Sequence, residues 1–257
     1  MRKPRGESSS RGTGGTQTLL RGLLLLEKVS EGVTDLPNLA KSLGLTRSTT
    51  YRLLSALVRA GYLKHEPRGG YRLGPQLIRL GFKAYSQLHL PTVARPHLEM
   101  LRDLTSETVH LAVLEGSEVV YIDKVAGSRE LQLASQIGSR FPAQSTALGK
   151  AILAWLPEEQ VRSIFVPGLK RTERTIADWT SFFEELRRTR ERGYALDLEE
   201  NEPGVRCVAA PIWGAKGEPV AAVSISTATI YLDENRIAQV APIVRQVAEA
   251  ISRELGG

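Results

Sequence analysis

Apolar residues in the first third of the chain recur at helical spacing in three short blocks. From about Thr18 to Ser30, Leu19, Leu23, Leu26 and Val29 or Leu20 fall on one face. A second block starts at Thr34 and Asp35, both good N-caps, and groups Leu36, Leu39, Ala40 and Leu43. Gly44 ends it, since glycine accepts the left-handed conformation of a tight turn. The third block opens at Thr46 and runs to about Ala60, where Gly61 stops it. At about 100° per residue, Thr50, Leu53, Leu54, Leu57 and Ala60 share one arc of this helix. Arg47, Ser48, Tyr51, Arg52, Ser55 and Arg59 share the opposite arc, with no acidic residue among them. Helix, glycine turn and helix predict a helix-turn-helix.

Tyr62-Leu63-Lys64-His65 and Tyr71-Arg72-Leu73 then read as two strands around the turn Glu66-Pro67-Arg68-Gly69-Gly70. A basic hairpin after such a helix is a wing. Arginine pairs bidentately with guanine, and hydroxyls reach base edges or phosphates. The candidate DNA-contacting set is Thr46, Arg47, Ser48, Thr49, Tyr51, Arg52, Ser55 and Arg59, with Arg68 and Arg72 from the wing. The competing reading of the third helix is a basic, solvent-facing surface.

Gln76 to Leu88 reads as a connecting helix with Leu77, Leu80 and Tyr85 as apolar points, either a dimer contact or packed on its own domain. A helix from Thr92 to Ser106 carries Val93, Leu98, Leu101 and Leu104. From Thr108 the pattern alternates. His110–Leu114 and Val119–Ile122 form a hairpin over Glu115-Gly116-Ser117, and a third strand is expected at about Glu130 to Ser135. Helices are expected at Thr146–Leu156, Pro157–Ile164 and Asp178–Arg192. Strands follow at Tyr194–Leu198, Cys207–Trp213 and Pro219–Ser226, then a last helix from Asp233 to Leu255. This order predicts an α+β domain with a largely antiparallel sheet.

Charge divides the chain as the pattern does. The first ninety residues hold 15 Lys and Arg against 5 Asp and Glu, and the remainder holds 19 against 23. A basic head on a mildly acidic body fits a polyanion-binding module joined to a different one. No apolar run reaches the roughly 18–20 residues of a membrane span. Met1 to Gly15 is basic and rich in Ser and Gly, and reads as a disordered arm without the apolar core of a signal peptide. The single cysteine, Cys207, excludes an internal disulfide and suits a reducing, cytoplasmic setting.

Catalytic patterns are weak. Gln144 and Ala151 break the P-loop pattern around Gly149-Lys150, so Lys150 reads as structural. Cys207 has no histidine at motif spacing, with His97 and His110 the candidates, and reads as a buried or pocket thiol. His65 and His89 complete no metal-ligand cluster. Adjacent Glu199 and Glu200 would point to opposite faces of a strand, and read as a charged edge or loop. No cofactor and no enzymatic activity are expected. RNA binding lacks the stacking aromatics it uses.

The chain resembles the IclR-type transcriptional regulators over nearly its whole length. The resemblance is carried by Thr46-Arg47-Ser48-Thr49-Thr50-Tyr51-Arg52-Leu53-Leu54, Tyr71-Arg72-Leu73-Gly74, and Glu107-Thr108-Val109-His110-Leu111. Further blocks are Val120-Tyr121-Ile122-Asp123-Lys124-Val125, Ser145-Thr146-Ala147-Leu148-Gly149-Lys150-Ala151, and Arg192-Gly193-Tyr194-Ala195. Gly204-Val205-Arg206-Cys207-Val208-Ala209-Ala210-Pro211 completes them. It implies a basic arm at 1–15, a winged helix-turn-helix domain at 16–75, a linker helix at 76–90, and a GAF-like α+β effector-binding domain at 91–257. It also implies a homodimer through the heads, or a homotetramer built as a dimer of dimers.

The resemblance places an effector pocket at one end of the sheet. Backbone amides around Ala147 and Leu148 would meet a carboxylate. Leu131, Leu133, Phe141 and Val205 would form apolar walls, and Asp197, Cys207, Ser224 and Ser226 would close the pocket. Alternation independently puts Ser224 and Ser226 on one face of their strand. Gln144 stands where many relatives carry His or Tyr, and the run from Gln144 to Lys150 resembles members that sense sugar acids. The expected function is a repressor of a catabolic operon. It would bind double-stranded operator DNA under control of a small organic-acid effector, a sugar acid or an aromatic acid, and would not associate with membranes.

Overall fold

The computed structural model describes residues 13–87, 89–129 and 134–257. The chain forms two compact units that divide after Gln87, within the stretch 76–90. Among the described residues, no helix is long and apolar enough to cross a membrane.

The first unit contains helices α1 (Thr13–Ser30), α2 (Leu36–Ser42) and α3 (Arg47–Arg59), the hairpin β1 (Leu63–Glu66) and β2 (Gly70–Leu73), and helix α4 (Pro75–Gln87). α1 begins at Thr13, so Thr13 to Gly15 are helical and not part of an unstructured arm. Residues 1–12 lie outside the described residues. Asp35 caps α2 by accepting the Asn38 N–H, and Gly44 takes φ +61° after it.

The unit's core is Leu25, Val29, Leu39, Leu54, Leu63 and Tyr71. This corrects the expected face of α1, because Leu19 and Leu23 are exposed, as are Leu20 and Leu24. A run this rich in leucine offers two apolar faces, and the 3.6-residue period cannot choose between them. The small core picks the turn carrying Leu25 and Val29. Ala60, placed in the buried arc of α3, is likewise exposed because the helix ends there. Gly70 is required where it stands: it has φ +71°, and a Cβ there would collide with the Thr34 carbonyl. The adjacent Tyr71 N–H donates to that carbonyl at 2.8 Å, which fastens the hairpin to the start of α2.

In the second unit, α5 (Leu90–Thr105) starts two residues earlier than expected, because proline is tolerated in a first helical turn and Pro91 sits there. Its buried track is Ala94, Leu98, Leu101 and Thr105. Leu104, expected on that face, is exposed. Thr105 takes the buried position because its hydroxyl donates to the Leu101 carbonyl at 2.7 Å.

The strands are β3 (Thr108–Glu115), β4 (Glu118–Val125), β5 (Arg140–Pro142), β6 (Ala195–Leu198), β7 (Val205–Trp213) and β8 (Pro219–Ala228). They form one antiparallel sheet in the order β5-β4-β3-β8-β7-β6. β5 has no counterpart in the sequence pattern, since three residues are too few to show alternation. Of the strand expected at 130–135, residues 130–133 lie outside the described residues, and Ala134 and Ser135 are not strand.

The sheet is covered on both faces. Val109, Leu111, Val208, Ala210, Val223 and Ile225 face α5 and α9 (Glu234–Glu254). Ala112, Ala209 and Ala222 face α6 (Ala147–Leu153) and the layer containing α7 (Glu158–Ile164) and α8 (Trp179–Arg192). Small residues on this second face leave room between sheet and helices.

Candidate functional site

The first unit presents α3 outward. Thr46 caps it by accepting the Thr49 N–H, and its hydroxyl also meets those of Ser48 and Thr49 at 3.2 and 3.0 Å. Thr46 and Thr49 therefore act first as braces of the helix end. Arg47, Ser48, Tyr51, Arg52 and Arg59 are exposed, and Ser55 is half-buried, beside buried Thr50 and Leu54. Between α3 and the hairpin lies a concavity of about 1140 Å³ that Thr49, Tyr51, Arg52, Ser55, Arg59 and Arg68 all border. Arg47 and Ser48 stand outside it at the exposed end of the helix. Arg72 is held 3.4 Å from Glu66 across the hairpin. Arg21 of α1 and His65 of β1 also line the concavity, which sequence reasoning missed.

The second unit contains a cavity of about 500 Å³ on the sheet face beneath α6. Its floor is a polar lattice set by strand register. Asp197 of β6 pairs with Cys207 of β7, which pairs with Ser226 of β8. One row over, Ser224 pairs with His110 of β3. Because side chains alternate, these groups all point to one face. Every described residue of the expected pocket lines the cavity: Phe141, Ala147, Leu148, Asp197, Val205, Cys207, Ser224 and Ser226. Leu131 and Leu133 lie outside the described residues.

α6 comes close to the preceding turn because residue 149 is glycine, where a Cβ would overlap the Ala143 carbonyl. Thr146 caps α6 by accepting the Gly149 N–H at 3.0 Å. That close approach brings Ala147 and Leu148 to the cavity wall.

Several cavity groups were not assigned to the pocket by the sequence. His110 is buried, with Nε2 2.8 Å from Ser135 Oγ and Nδ1 3.3 Å from Ser226 Oγ. Burial, with Lys124 nearby, lowers it to about 3, so it is a neutral hydrogen-bonding ring at pH 7. Tyr121 lies 4.6 Å from His110 and 5.2 Å from Phe141, ring to ring. Burial pushes up both the Tyr121 hydroxyl and the Cys207 thiol, which removes any thiolate chemistry at neutral pH. Arg171 is an exposed cation of the wall, and Asn201 and Glu202 border the cavity from the loop after β6.

Ser224 Oγ is buried and has no hydrogen-bond partner among the described residues. Such a hydroxyl facing a cavity can complete its hydrogen bond only with a molecule inside it, water or ligand. Gln144 behaves differently. Its amide is spent on the backbone of Val166, accepting at 2.8 Å and donating at 3.2 Å, and it does not line the cavity. The departure at this position therefore anchors a loop.

The glutamate pair also departs from expectation. Glu200 is buried and ion-paired, with Oε1 2.5 Å from Nζ of Lys150, itself fully buried. Glu199 sits at φ +70° and accepts the Gly204 N–H. The chain turns sharply after β6, so the strand geometry assumed for the pair does not apply. No cluster of His, Cys, Asp and Glu among the described residues could hold a metal ion.

Residues 18–67 match the model of the IclR helix-turn-helix domain, and residues 82–253 match that of the bacterial transcriptional regulator IclR C-terminal domain. The chain is 37% identical over 246 residues to the HTH-type transcriptional regulator XynR of Escherichia coli K12, covering 93% of this chain and 97% of that one. It is 34% identical to the acetate operon repressor of Salmonella typhimurium LT2, covering 95% and 92%. The crystal structure of the Agobacterium tumefaciens repressor BlcR superposes with TM-score 0.81 at 29% identity, over 96% of this chain and all of that one. These relatives are regulators and not enzymes, and the chain belongs to the IclR family of DNA-binding bacterial transcriptional regulators.

Proposed function

We propose that this regulator is a cytoplasmic repressor of a catabolic operon whose hold on operator DNA is set by a small, hydroxylated organic acid. The effector occupies the cavity of about 500 Å³. The observation that carries this reading is the orphan Ser224 hydroxyl in a floor shared with Asp197, Cys207 and Ser226. Ser135, Ser139, Thr146 and Asn201 add polar groups, and Arg171 supplies a cation for a carboxylate. Such a lining offers one partner per hydroxyl of a sugar acid. A second reading, an aromatic acid, is favoured by the Tyr121–Phe141 wall.

DNA is engaged by Arg47, Ser48, Tyr51, Arg52, Ser55 and Arg59, with Arg68 and Arg72 on the backbone and Thr46 and Thr49 bracing the helix end. Relatives bearing the names acetate operon repressor and repressor BlcR support the direction of control. The exposed Leu19, Leu20, Leu23 and Leu24 give the head an apolar face that a second copy covers, in a homodimer or a dimer of dimers.

Thermal shift against a panel of sugar acids and aromatic acids tests this reading. A ligand at a hundred times its Kd stabilises the folded state by about 2.7 kcal/mol. Ser224→Ala combined with Asp197→Ala is expected to abolish the shift while leaving operator binding intact. An undiminished shift in that double variant would place the effector elsewhere, and no shift with any acid would remove the cavity's assigned role.

A further inference from the structure

Three ionisable side chains meet behind the cavity wall. Lys150 is fully buried and paired with Glu200 at 2.5 Å. Glu200 Oε2 is buried without a hydrogen-bond partner among the described residues. Asp197, buried and lining the cavity, accepts the Glu200 N–H at 2.7 Å and the Asn201 N–H at 3.4 Å, both on Oδ1. One carboxylate oxygen is thereby committed as an acceptor. Oδ2 is the oxygen able to carry a proton.

The charges facing Asp197 can be matched element by element. α6 contributes Lys150 and the wall loop Arg171, whereas Lys124 of β4 acts on His110 and donates to the Ser135 carbonyl at 2.6 Å. Against Lys150 and Arg171 stand Glu200, Glu202 and the carboxylate of an acid effector. Glu185 of α8 acts on Glu200 but is itself neutralised by Arg192 at 2.5 Å. Cys207, Tyr121 and His110, from β7, β4 and β3, are uncharged at pH 7. An ionised Asp197 is therefore a fourth negative charge with no cation left for it, in a place where charge is poorly solvated.

We propose that the cavity takes its acid effector together with a proton, held on Oδ2 of Asp197, which then donates a hydrogen bond to the effector. This rests on the effector reading above. Burial raises the Asp197 carboxyl to about 7, with Lys150 opposing and Glu200 adding to the rise. An incoming carboxylate raises it further. Below pH 7 the proton is already in place. Above pH 7 it must be taken up, so affinity falls by about tenfold per pH unit until the bound-state value is reached.

The full-length protein is titrated calorimetrically at pH 8 with D-gluconate and with benzoate, in buffers of different ionisation enthalpy. Uptake of close to one proton is expected in the wild type, and none in Asp197→Asn, whose affinity is flat with pH. Binding without proton uptake in the wild type, or uptake that survives in Asp197→Asn, overturns the linkage and leaves the effector site standing. Failure of both acids to bind counts instead against the effector reading.

Ligand-free urea melts then decide the matter for Asp197 alone. A raised carboxyl contributes stability that is lost as pH rises through about 7, so Asp197→Asn gains on the wild type between pH 5 and 8. A difference between the two proteins that does not change with pH overturns the inference.

Discussion

The DNA-binding unit carries its candidate polar groups on the outside, and the second unit carries them inside. On α3 the exposed arc of Arg47, Tyr51, Arg52 and Arg59 is the complement of the buried track at Thr50 and Leu54, so finding one finds the other. In the cavity the candidate groups come from β3, β6, β7, β8 and α6, and all but the half-buried Cys207 and Val205 of β7 are themselves buried. Their neighbours are set by strand register between distant segments, such as His110 beside Ser224. Helical amphipathicity is a local property, whereas a buried polar floor is a property of topology. The two regions should accordingly fail in different ways when mutated: the outside loses binding, and the inside loses stability as well.

The sharpest test of that difference is Lys150→Met. Removing one partner of a buried pair strands the other charge, at a cost of about 3–5 kcal/mol. The Lys150–Glu200 pair meets the condition, with side-chain exposures of 0% and 8%. Urea unfolding should show a loss of this size. Adding Glu200→Leu should recover at least half of it, because an apolar pair leaves no charge behind. A single-variant loss below about 1 kcal/mol would mean that Glu200 is solvated after all, and the inside would then resemble the outside.

That pair also marks where the sequence stopped being legible. Lys150 could be read as structural from its motif context, but nothing within fifty residues of it in the chain announces Glu200. Glu199 and Glu200 read as a charged edge or loop, and they do lie in a loop, but the turn after β6 that buries Glu200, with Glu199 at φ +70°, is invisible to a strand pattern. Ser224 and Ser226 were legible through alternation, Cys207 as a buried or pocket thiol, and Asp197 only through family resemblance. His110 and Tyr121 fell in strands that alternation and resemblance both marked, but neither assigned them to the pocket, since a strand in a sheet covered on both faces reads as apolar core throughout. The order of elements was legible nearly throughout, with β5 too short to detect. The face of α1 failed for the opposite reason, an excess of leucine.

On the outside, Arg52→Ala and Arg47→Ala are expected to weaken operator binding by about 1–3 kcal/mol each and to relax specificity at the contacted base. Both side chains are exposed and remote from the unit's core, so melting temperature and effector-induced shift should be unchanged. Fluorescence anisotropy on operator and on single-base variants reads the first effect, and thermal shift the second. If either variant lost effector binding as much as operator binding, the two regions would not be separable.

The smallest effect is expected at the wing. Arg72 faces Glu66 at 3.4 Å with both side chains largely in solvent, so truncation should change stability by no more than about 0.5 kcal/mol. Its place on the hairpin suits a phosphate, and a phosphate contact has a signature that a base contact lacks. Arg72→Ala should lower affinity uniformly across operator variants and reduce the slope of log affinity against log salt by about 1. Arg52→Ala should instead change the ranking of those variants. Glu66 complicates the wing, because it neutralises Arg72 in the free protein and must release it on binding. Glu66→Gln should therefore strengthen DNA binding slightly while Arg72→Ala weakens it. Identical behaviour of Arg72→Ala and wild type across a salt series would leave the wing without a role on DNA and confine the outer interface to α3.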